Sequence, residues 1–396
     1  MKIQVLNNIS EFGLKILEEN SFQLIKDDKI NESQGIVLRS FPLKDFDIPK
    51  SLFAISRAGA GTNNINISEC SEKGVVVFNT PGANANAVKE MVICALILGK
   101  RDLVSGNKTI DSINTEKLSD EEISKRIEDM KKAFVGQEIK GKTLSVIGLG
   151  AIGSMVAEQA IQLGMHVQGY DPGITVETAL RLPRDINVCK KIDDSFKGSD
   201  YVSLHIPLNE KTKGLINKDL IKCANKDFVL INFSRGGIVE EKSVVSELNS
   251  GQISKYITDF PSKLLIERLT NKRDVIIFPH LGASTKESEV NCAIMACEQL
   301  ATFLSSGKIH NSVNFPNISS EKFGKHRIFI ANENTPGIIS NIAEVLAKDE
   351  INIIEFVNKS REKIACNLID TDDKISANTL AKLSNIKGVT NARLCY

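Results

Sequence analysis

The segment Leu144-Ser145-Val146-Ile147-Gly148-Leu149-Gly150-Ala151-Ile152-Gly153 constrains the fold of this chain more than any other. A β-branched apolar run leads into three glycines spaced GxGxxG, and a helical pattern over 154–163 follows, closed by Gly164. The order is strand, tight turn, helix. The three glycines serve different ends. Gly148 permits the turn, Gly150 lets the backbone approach a pyrophosphate, and Gly153 lets the helix pack closely on the strand. The free N–H groups at the helix start, around Ala151 and Ile152, then face the phosphates. The next strand, 167–170, runs into Asp171, 18 residues beyond Gly153. A carboxylate there accepts hydrogen bonds from an adenosine ribose and repels a 2′-phosphate, which favours NAD over NADP.

The same alternation of short apolar runs and helical patterns extends both ways, as βαβ units on a parallel sheet require. Strands are expected at 144–147, 201–205, 228–232, 256–259 and 275–278 around the glycine loop, and earlier at 3–6, 36–39, 53–57 and 75–78. Residues 98–140 read as a first hinge. Within it Lys117 to Lys132 carries alternating charges with Ile123, Ile127 and Met130 at helical spacing, so an exposed helix or flap is expected. A second boundary falls at 312–324, where Asn314-Phe315-Pro316-Asn317 is turn-forming. Beyond it the rhythm becomes β-α-β-β-α-β, a small ferredoxin-like domain. The expected fold class is α/β, with two doubly wound parallel sheets, one flavodoxin-like and one Rossmann-like, plus the ferredoxin-like domain. The boundaries are 1–98 with 287–316, then 99–286, then 323–396.

Composition excludes several classes. Lys+Arg 50 against Asp+Glu 49 leaves a net charge of +1, so no global field draws in nucleic acid or an anionic membrane. The apolar run 91–99 falls far short of the roughly 20 residues that span a bilayer, and the start reads as a strand rather than a signal peptide. Eight cysteines without a CxxC pair suit free thiols in a reducing compartment. A cytoplasmic multidomain enzyme is the expectation, with no nucleic-acid partner, no membrane and no metal.

Three further stretches carry a resemblance. Leu230-Ile231-Asn232-Phe233-Ser234-Arg235-Gly236-Gly237-Ile238-Val239, Phe278-Pro279-His280-Leu281-Gly282, and His205-Ile206-Pro207-Leu208 with Thr212 stand in order behind the glycine loop. With them the chain resembles the D-isomer-specific 2-hydroxyacid dehydrogenases over most of residues 36–316. Residues 325–396, with Asn332-Glu333-Asn334-Thr335-Pro336-Gly337 as first loop, resemble an ACT regulatory domain. The resemblance implies a substrate-binding domain (1–98 with 287–316) and an NAD-binding domain (99–286). Arg39, the run Arg57–Asn64, the run Pro279–Thr285 and the ACT-like end narrow the implied reaction. It is the NAD-dependent oxidation of 3-phospho-D-glycerate to 3-phosphohydroxypyruvate, on the route to L-serine. Another D-2-hydroxy acid as substrate, or a non-catalytic NADH sensor, are the alternatives.

Hydride transfer at C2 of such an acid needs a cation for the carboxylate and an acid–base group for the hydroxyl. Arg235 suits the first, because its planar fork binds a carboxylate bidentately. His280 suits the second, with an ordinary pKa of about 6.5. His205, Pro207, Thr212, Phe233 and Gly282 fall on the cofactor side, and the resemblance gives Asp259 the nicotinamide carboxamide. His166, His310 and His326 carry no motif. The family orients its histidine with a glutamate five residues after the aspartate matching Asp259, and here that position is Leu264. Either Glu267 takes the role through a gap, or the dyad is absent or rebuilt; without a carboxylate the histidine would titrate lower.

Arg39 and Arg57 stand at strand C-termini, where ligands bind in open parallel sheets, and suit a phosphate. Gly59, Ala60, Gly61 and Asn84 are implied substrate contacts. Asn332, Asn334 and Asn352 are the implied contacts of an L-serine effector. Symmetric homo-oligomers, dimer or tetramer, are expected.

Overall fold

Fully apolar runs such as Ile36–Leu38 and Phe228–Ile231 form strands buried on both faces, as a parallel sheet covered by helices demands. The computed structural model describes residues 1–27, 32–116 and 118–395. Lys117 and Tyr396, at the ends of the charge-rich stretch and of the chain, lie outside the described residues.

The first sheet holds β1 (Lys2–Leu6), β2 (Gln23–Ile25), β3 (Gly35–Leu38), β4 (Ala54–Arg57) and β5 (Val76–Phe78), all parallel, in the order β2-β1-β3-β4-β5. This is the flavodoxin-like order, with its switch point between β1 and β3. The helix Lys286–Ser306 closes one face. Ser56 donates to the Ala296 carbonyl at 2.8 Å, and a Cβ on Gly13 would stand 2.6 Å from the Ala293 carbonyl oxygen, so the helix Glu11–Glu19 packs backbone-close on it.

The second sheet holds β6 (Thr143–Ile147), β7 (His166–Tyr170), β8 (Asn187–Val188), β9 (Tyr201–Leu204), β10 (Phe228–Asn232), β11 (Ile253–Thr258) and β12 (Val275–Ile277). All are parallel in the order β12-β11-β10-β9-β6-β7-β8, the Rossmann order with an added strand. Its switch point lies between β6 and β9. Parallel strands share one C-terminal edge, so the loops after β6, β9, β10 and β12 all open on the same side.

The third sheet is antiparallel, β14-β15-β13-β16, from β13 (His326–Glu333), β14 (Ile353–Arg361), β15 (Ile364–Thr371) and β16 (Val389–Cys395). With helices Ile338–Lys348 and Ala377–Ser384 it is the expected β-α-β-β-α-β. Period-two alternation gives it two apolar faces. Ile328, Ile330 and Ile369 meet the helices through Ile342 and Leu346, while Phe329, Ala331, Cys366 and Leu368 join the core that contains Ile3, Leu300 and Phe303.

That second face places the ferredoxin-like domain in one compact unit with the first sheet. The chain divides into two compact units, 1–84 with 285–396, and 85–284, where three were expected. The ferredoxin-like domain shares a core with the first sheet. Buried Arg393 on β16 strengthens the join: it donates to the carbonyls of Phe303 at 2.5 Å and Leu304 at 2.9 Å and lies over the Phe303 ring at 4.4 Å, capping the C-terminal end of helix Lys286–Ser306. The first boundary falls at 84/85 rather than 98/99, because helix Ala85–Lys100 packs Val88, Val92, Ala95 and Leu96 with Leu144, Val146 and Val229. The charge-rich stretch forms the exposed helix Asp120–Lys131, started by a Ser119–Glu122 capping box. Among the described residues no helix is long and apolar enough to cross a membrane.

Candidate active site

The loop after β6 is shaped by its glycines. Gly148 has φ +95°, and a Cβ there would stand 2.5 Å from the His205 carbonyl oxygen. A Cβ on Gly153 would collide with the carbonyl oxygen of Gly148, whereas one on Gly150 meets nothing within 4 Å. Two glycines serve packing, and the third leaves space at the start of helix Ala151–Gln162. Asp171 ties the loop together: one carboxylate oxygen accepts the Leu149 N–H at 2.9 Å and the other the Gly173 N–H at 2.8 Å. Open space before an N–H-rich helix start, beside a fixed carboxylate, fits a dinucleotide.

Across the switch point, the His205 ring shares a 2.9 Å hydrogen bond between Nε2 and the buried Ser203 hydroxyl. Burial pushes this histidine down to about 3, so it is neutral near pH 7. The following loop is closed by Thr212, which donates to the Pro207 carbonyl at 2.6 Å and accepts the Asn209 N–H at 2.8 Å.

Arg235 follows β10 on a loop held by Asn232. The Asn232 amide donates to the Arg235 carbonyl at 3.0 Å, and its Oδ1 accepts the Ser234 N–H at 3.1 Å. Phe233 is buried beneath. The half-buried Arg235 guanidinium bonds the Ser234 carbonyl at 2.7 Å, and desolvation lowers its pKa from the ordinary value.

His280 follows β12 on the same edge. It is exposed, with φ +57°, and the Phe260 ring meets it edge-on at 5.3 Å between centroids. The carboxylate of Asp259, 1% exposed, accepts the N–H groups of Leu281 and Gly282, each at 2.7 Å. Glu267 lies on the exposed side of helix Lys263–Asn271, 3.9 Å from Lys263, and the structure does not bring it into an ion pair with His280.

The first unit carries the remaining predicted contacts. The Arg57 Nε donates to the Arg39 carbonyl at 3.0 Å, so the two arginines adjoin. The Arg39 guanidinium is 2.7 Å from Glu289, in a cleft of about 280 Å³ that Asn8 and Lys286 also line. Gly59 has φ +153° and leaves room for the Arg57 side chain, while the Ala60 carbonyl accepts from Asn79 at 2.7 Å. Gly61 continues this loop half-exposed, and the Asn84 Oδ1 is buried without a hydrogen-bond partner among the described residues. Of the effector set, Asn332 is committed internally: its amide donates to the Glu333 carbonyl and its Oδ1 accepts from Asn367, itself bonded to Asn358. Asn334 donates to the Glu362 carbonyl at 3.0 Å, and the backbone N–H of Asn352 bonds Asp373. Asn332 and Asn334 line a cleft of about 870 Å³ with Ser68, Ser71 and Arg361.

Residues 112–282 match the family described as "D-isomer specific 2-hydroxyacid dehydrogenase, NAD binding domain". A D-3-phosphoglycerate dehydrogenase of Dictyostelium discoideum is 30% identical over the whole of this chain and 97% of its own length. The chain belongs to the D-isomer-specific 2-hydroxyacid dehydrogenase family. Another relative in this family, the D-3-phosphoglycerate dehydrogenase of Methanocaldococcus jannaschii, is 31% identical over 90% of the chain and 67% of its own length. Of several further relatives of that name the chain spans 60 to 64% of the length. The crystal structure of NAD+-bound 3-phosphoglycerate dehydrogenase from Entamoeba histolytica aligns with a TM-score of 0.60 at 28% identity, covering 79% of this chain and 98% of that one. The family's NAD-binding domain therefore coincides with the second sheet, and the Gly150 gap and Asp171 suit that cofactor.

Two contributors escaped the sequence reading. Asn232 was legible in principle, since an Asn two residues before Ser234 favours an Asx turn. Phe260 carried no signal, because its contact with His280 joins residues 20 apart in the chain.

Proposed function

We propose that this chain oxidises 3-phospho-D-glycerate to 3-phosphohydroxypyruvate with NAD. The observation that carries the reading is the sharing of one sheet edge by the glycine loop, Arg235 and His280, after β6, β10 and β12. Bound NAD supplies the hydride acceptor. Gly150 and the helix start hold its phosphates in a loop that Gly148 and Gly153 shape, and Asp171 holds its ribose. Arg235 takes the substrate carboxylate in a bidentate grip and stabilises charge growing on the C2 oxygen. A neutral His280 accepts the hydroxyl proton on a ring nitrogen as the C2–H bond breaks; in the reverse direction the imidazolium returns it. His205, held neutral, takes no part in that transfer. Arg39 and Arg57 take the phosphate.

A second reading, oxidation of a non-phosphorylated D-2-hydroxy acid, is favoured by the Arg39–Glu289 ion pair, which occupies one of the two guanidinium groups. NADH formation with 3-phosphoglycerate, D-glycerate and D-lactate separates the two. A preference for 3-phosphoglycerate in kcat/KM supports the first, a preference for D-glycerate the second, and turnover of none refutes both.

The C-terminal ferredoxin-like domain acts in this proposal as an ACT domain, with L-serine as its effector in the cleft lined by Asn332 and Asn334. Because Asn332 is already bonded to Asn367, serine contacts fall chiefly to Asn334 and its neighbours. Inhibition by serine in the same assay tests this. The working form is a cytoplasmic homo-oligomer, checked by sedimentation.

A further inference from the structure

Arg39 and Arg57 adjoin, but their side chains have different surroundings. The Arg57 Nε is spent on the Arg39 carbonyl, and a Cβ on Gly59 would fall on Arg57 Nη1, so this guanidinium lies against the Gly59 turn. Arg39 instead lines the cleft of about 280 Å³ at the C-terminal edge of the first sheet, beside its switch point, where ligands bind in open parallel sheets. Asn8 follows β1, Arg39 follows β3 and Ala58 follows β4, while Lys286, Glu289 and Ala293 stand on successive turns of helix Lys286–Ser306. Protein hydrogen bonds fix these walls. The Asn7 Oδ1 accepts the Ser40 N–H at 3.1 Å, tying the loop after β1 to the loop after β3, and Thr285 Oγ1 accepts the Ser288 N–H at 3.1 Å, capping the helix that carries Lys286. The charged side chains lining the cleft are Arg39, Lys286 and Glu289. Glu289 lies 2.7 Å from Arg39, whereas Lys286, three residues before it on the same helix face, has no ion pair among the described residues. Both ends of the Arg39–Glu289 pair are more than one-third exposed, a setting in which ion pairs are weakly held, so an incoming dianion can take Arg39 from Glu289.

We propose that Lys286 is a phosphate-binding residue, completing with Arg39 a subsite in this cleft for the phosphate of 3-phospho-D-glycerate. Near pH 7 such a group carries a charge of about −1.5 to −2. Arg39 offers it a planar fork, Lys286 a compact ammonium with rotatable donors, and Arg57 braces the Arg39 backbone. With Glu289 displaced from Arg39, two cations hold the dianion. Without Lys286, the charges of Arg39 and Glu289 cancel and the cleft has no net attraction for a phosphate. The inference rests on the reading of 3-phospho-D-glycerate as substrate and deepens it, because it names a residue that separates the phosphorylated acid from D-glycerate.

The test uses the full chain with Lys286→Gln, Lys286→Arg, and Lys286→Gln combined with Glu289→Gln. Steady-state kinetics with 3-phosphoglycerate and D-glycerate are read beside calorimetric titration of 3-phosphoglycerate into the NADH-bound protein. For Lys286→Gln, KM for 3-phosphoglycerate is expected to rise about tenfold, the scale of one charge-assisted contact, with kcat and the KM for D-glycerate within about twofold. Added salt raises the KM of the wild type more steeply than that of this variant. Lys286→Arg keeps the charge, and its KM stays within about threefold of wild type. In the Glu289→Gln background, loss of Lys286 still raises KM about tenfold. An equal rise for both acids, no rise for either, or an effect that vanishes in the Glu289→Gln background overturns the proposal; the last result makes Lys286 a partner of Glu289 alone. Should the wild-type chain turn over none of the acids, the reading of the reaction fails, and the titration decides on Lys286 separately. Binding of 3-phosphoglycerate weakened about tenfold by Lys286→Gln keeps Lys286 in the subsite, and unweakened or absent binding removes it.

Discussion

The side-chain amide of Asn232 donates to the Arg235 carbonyl at 3.0 Å, from a position 1% exposed at the end of β10. One buried side chain thus closes the turn that presents the guanidinium. Asn232→Ala removes the bonds to both Ser234 and Arg235, and the buried groups left behind cost about 1–3 kcal/mol. Urea unfolding is expected to show that loss, and kcat/KM to fall further than stability accounts for. A variant with unchanged kcat/KM removes Asn232 from the positioning of Arg235.

Gly150 and Gly153 separate binding from packing. Gly153→Ala places a methyl against the Gly148 carbonyl oxygen, so the glycine loop must shift, and a lowered Tm with lost NADH binding is expected. Gly150→Ala meets nothing within 4 Å in the protein. Its Tm is expected within about 2 °C of wild type, since a surface substitution of this kind costs under about 0.5 kcal/mol, while NADH binding weakens. Equal effects of both substitutions on Tm contradict this division.

The Arg39–Glu289 pair sets a substrate prediction. Both side chains are more than one-third exposed, so the pair adds little to stability. Glu289→Gln frees the guanidinium without emptying the cleft. KM for 3-phosphoglycerate is expected to fall severalfold while KM for D-glycerate stays. A fall for both acids, or for neither, separates Arg39 from phosphate recognition.

His205 gives a pH dependence with a defined sign. Its folded-state pKa is pushed down to about 3 by burial, against about 6.5 in an unfolded chain. Below about 6.5 the unfolded chain takes up a proton that the native protein refuses, so stability declines as pH falls toward 3, by no more than about 1.4 kcal/mol per unit. Urea midpoints measured from about pH 7 down to about pH 5 are expected to drop in the wild type and to drop less in His205→Gln. Parallel slopes in the two proteins rule His205 out as the source.

Arg327 and Asp370 pair across β13 and β15, both essentially buried, with Nε–Oδ1 at 2.6 Å and Nη2–Oδ2 at 2.7 Å. Burial by itself raises the Asp370 carboxyl, but Arg327 and the N–H groups of Phe323 and Gly324 outweigh it, and the net shift is downward. Its stabilising contribution is therefore full above about 3.9 and is lost as pH falls through the lower folded value. Asp370→Asn strands a buried guanidinium and is expected to cost about 3–5 kcal/mol in urea unfolding. Replacing both residues with leucine is expected to cost less than that single change.

Much of this molecule is written locally. Alternating and helical apolar patterns over ten or twenty residues specify the three sheets, because strand and helix periods are properties of the chain itself. The glycine loop, Arg235 and His280 were readable for the same reason: each is turn chemistry within a few residues of a strand end. What surrounds them was decided by packing. The clamp from Asp259 to Leu281 and Gly282 spans 22 and 23 positions, and the Arg39–Glu289 pair spans 250. Glu267, adjacent to the right region in sequence, falls on the exposed side of its helix, 3.9 Å from Lys263, and the ring that meets His280 is that of Phe260. The ferredoxin-like domain looked separate because its strands carry their own pattern, yet Phe329, Leu368 and Arg393 bury their side of the sheet in the core of the first unit. Period and turn chemistry depend on neighbours in sequence, whereas hydrogen bonds and burial depend on which distant surfaces meet, and only the folded chain brings those surfaces together.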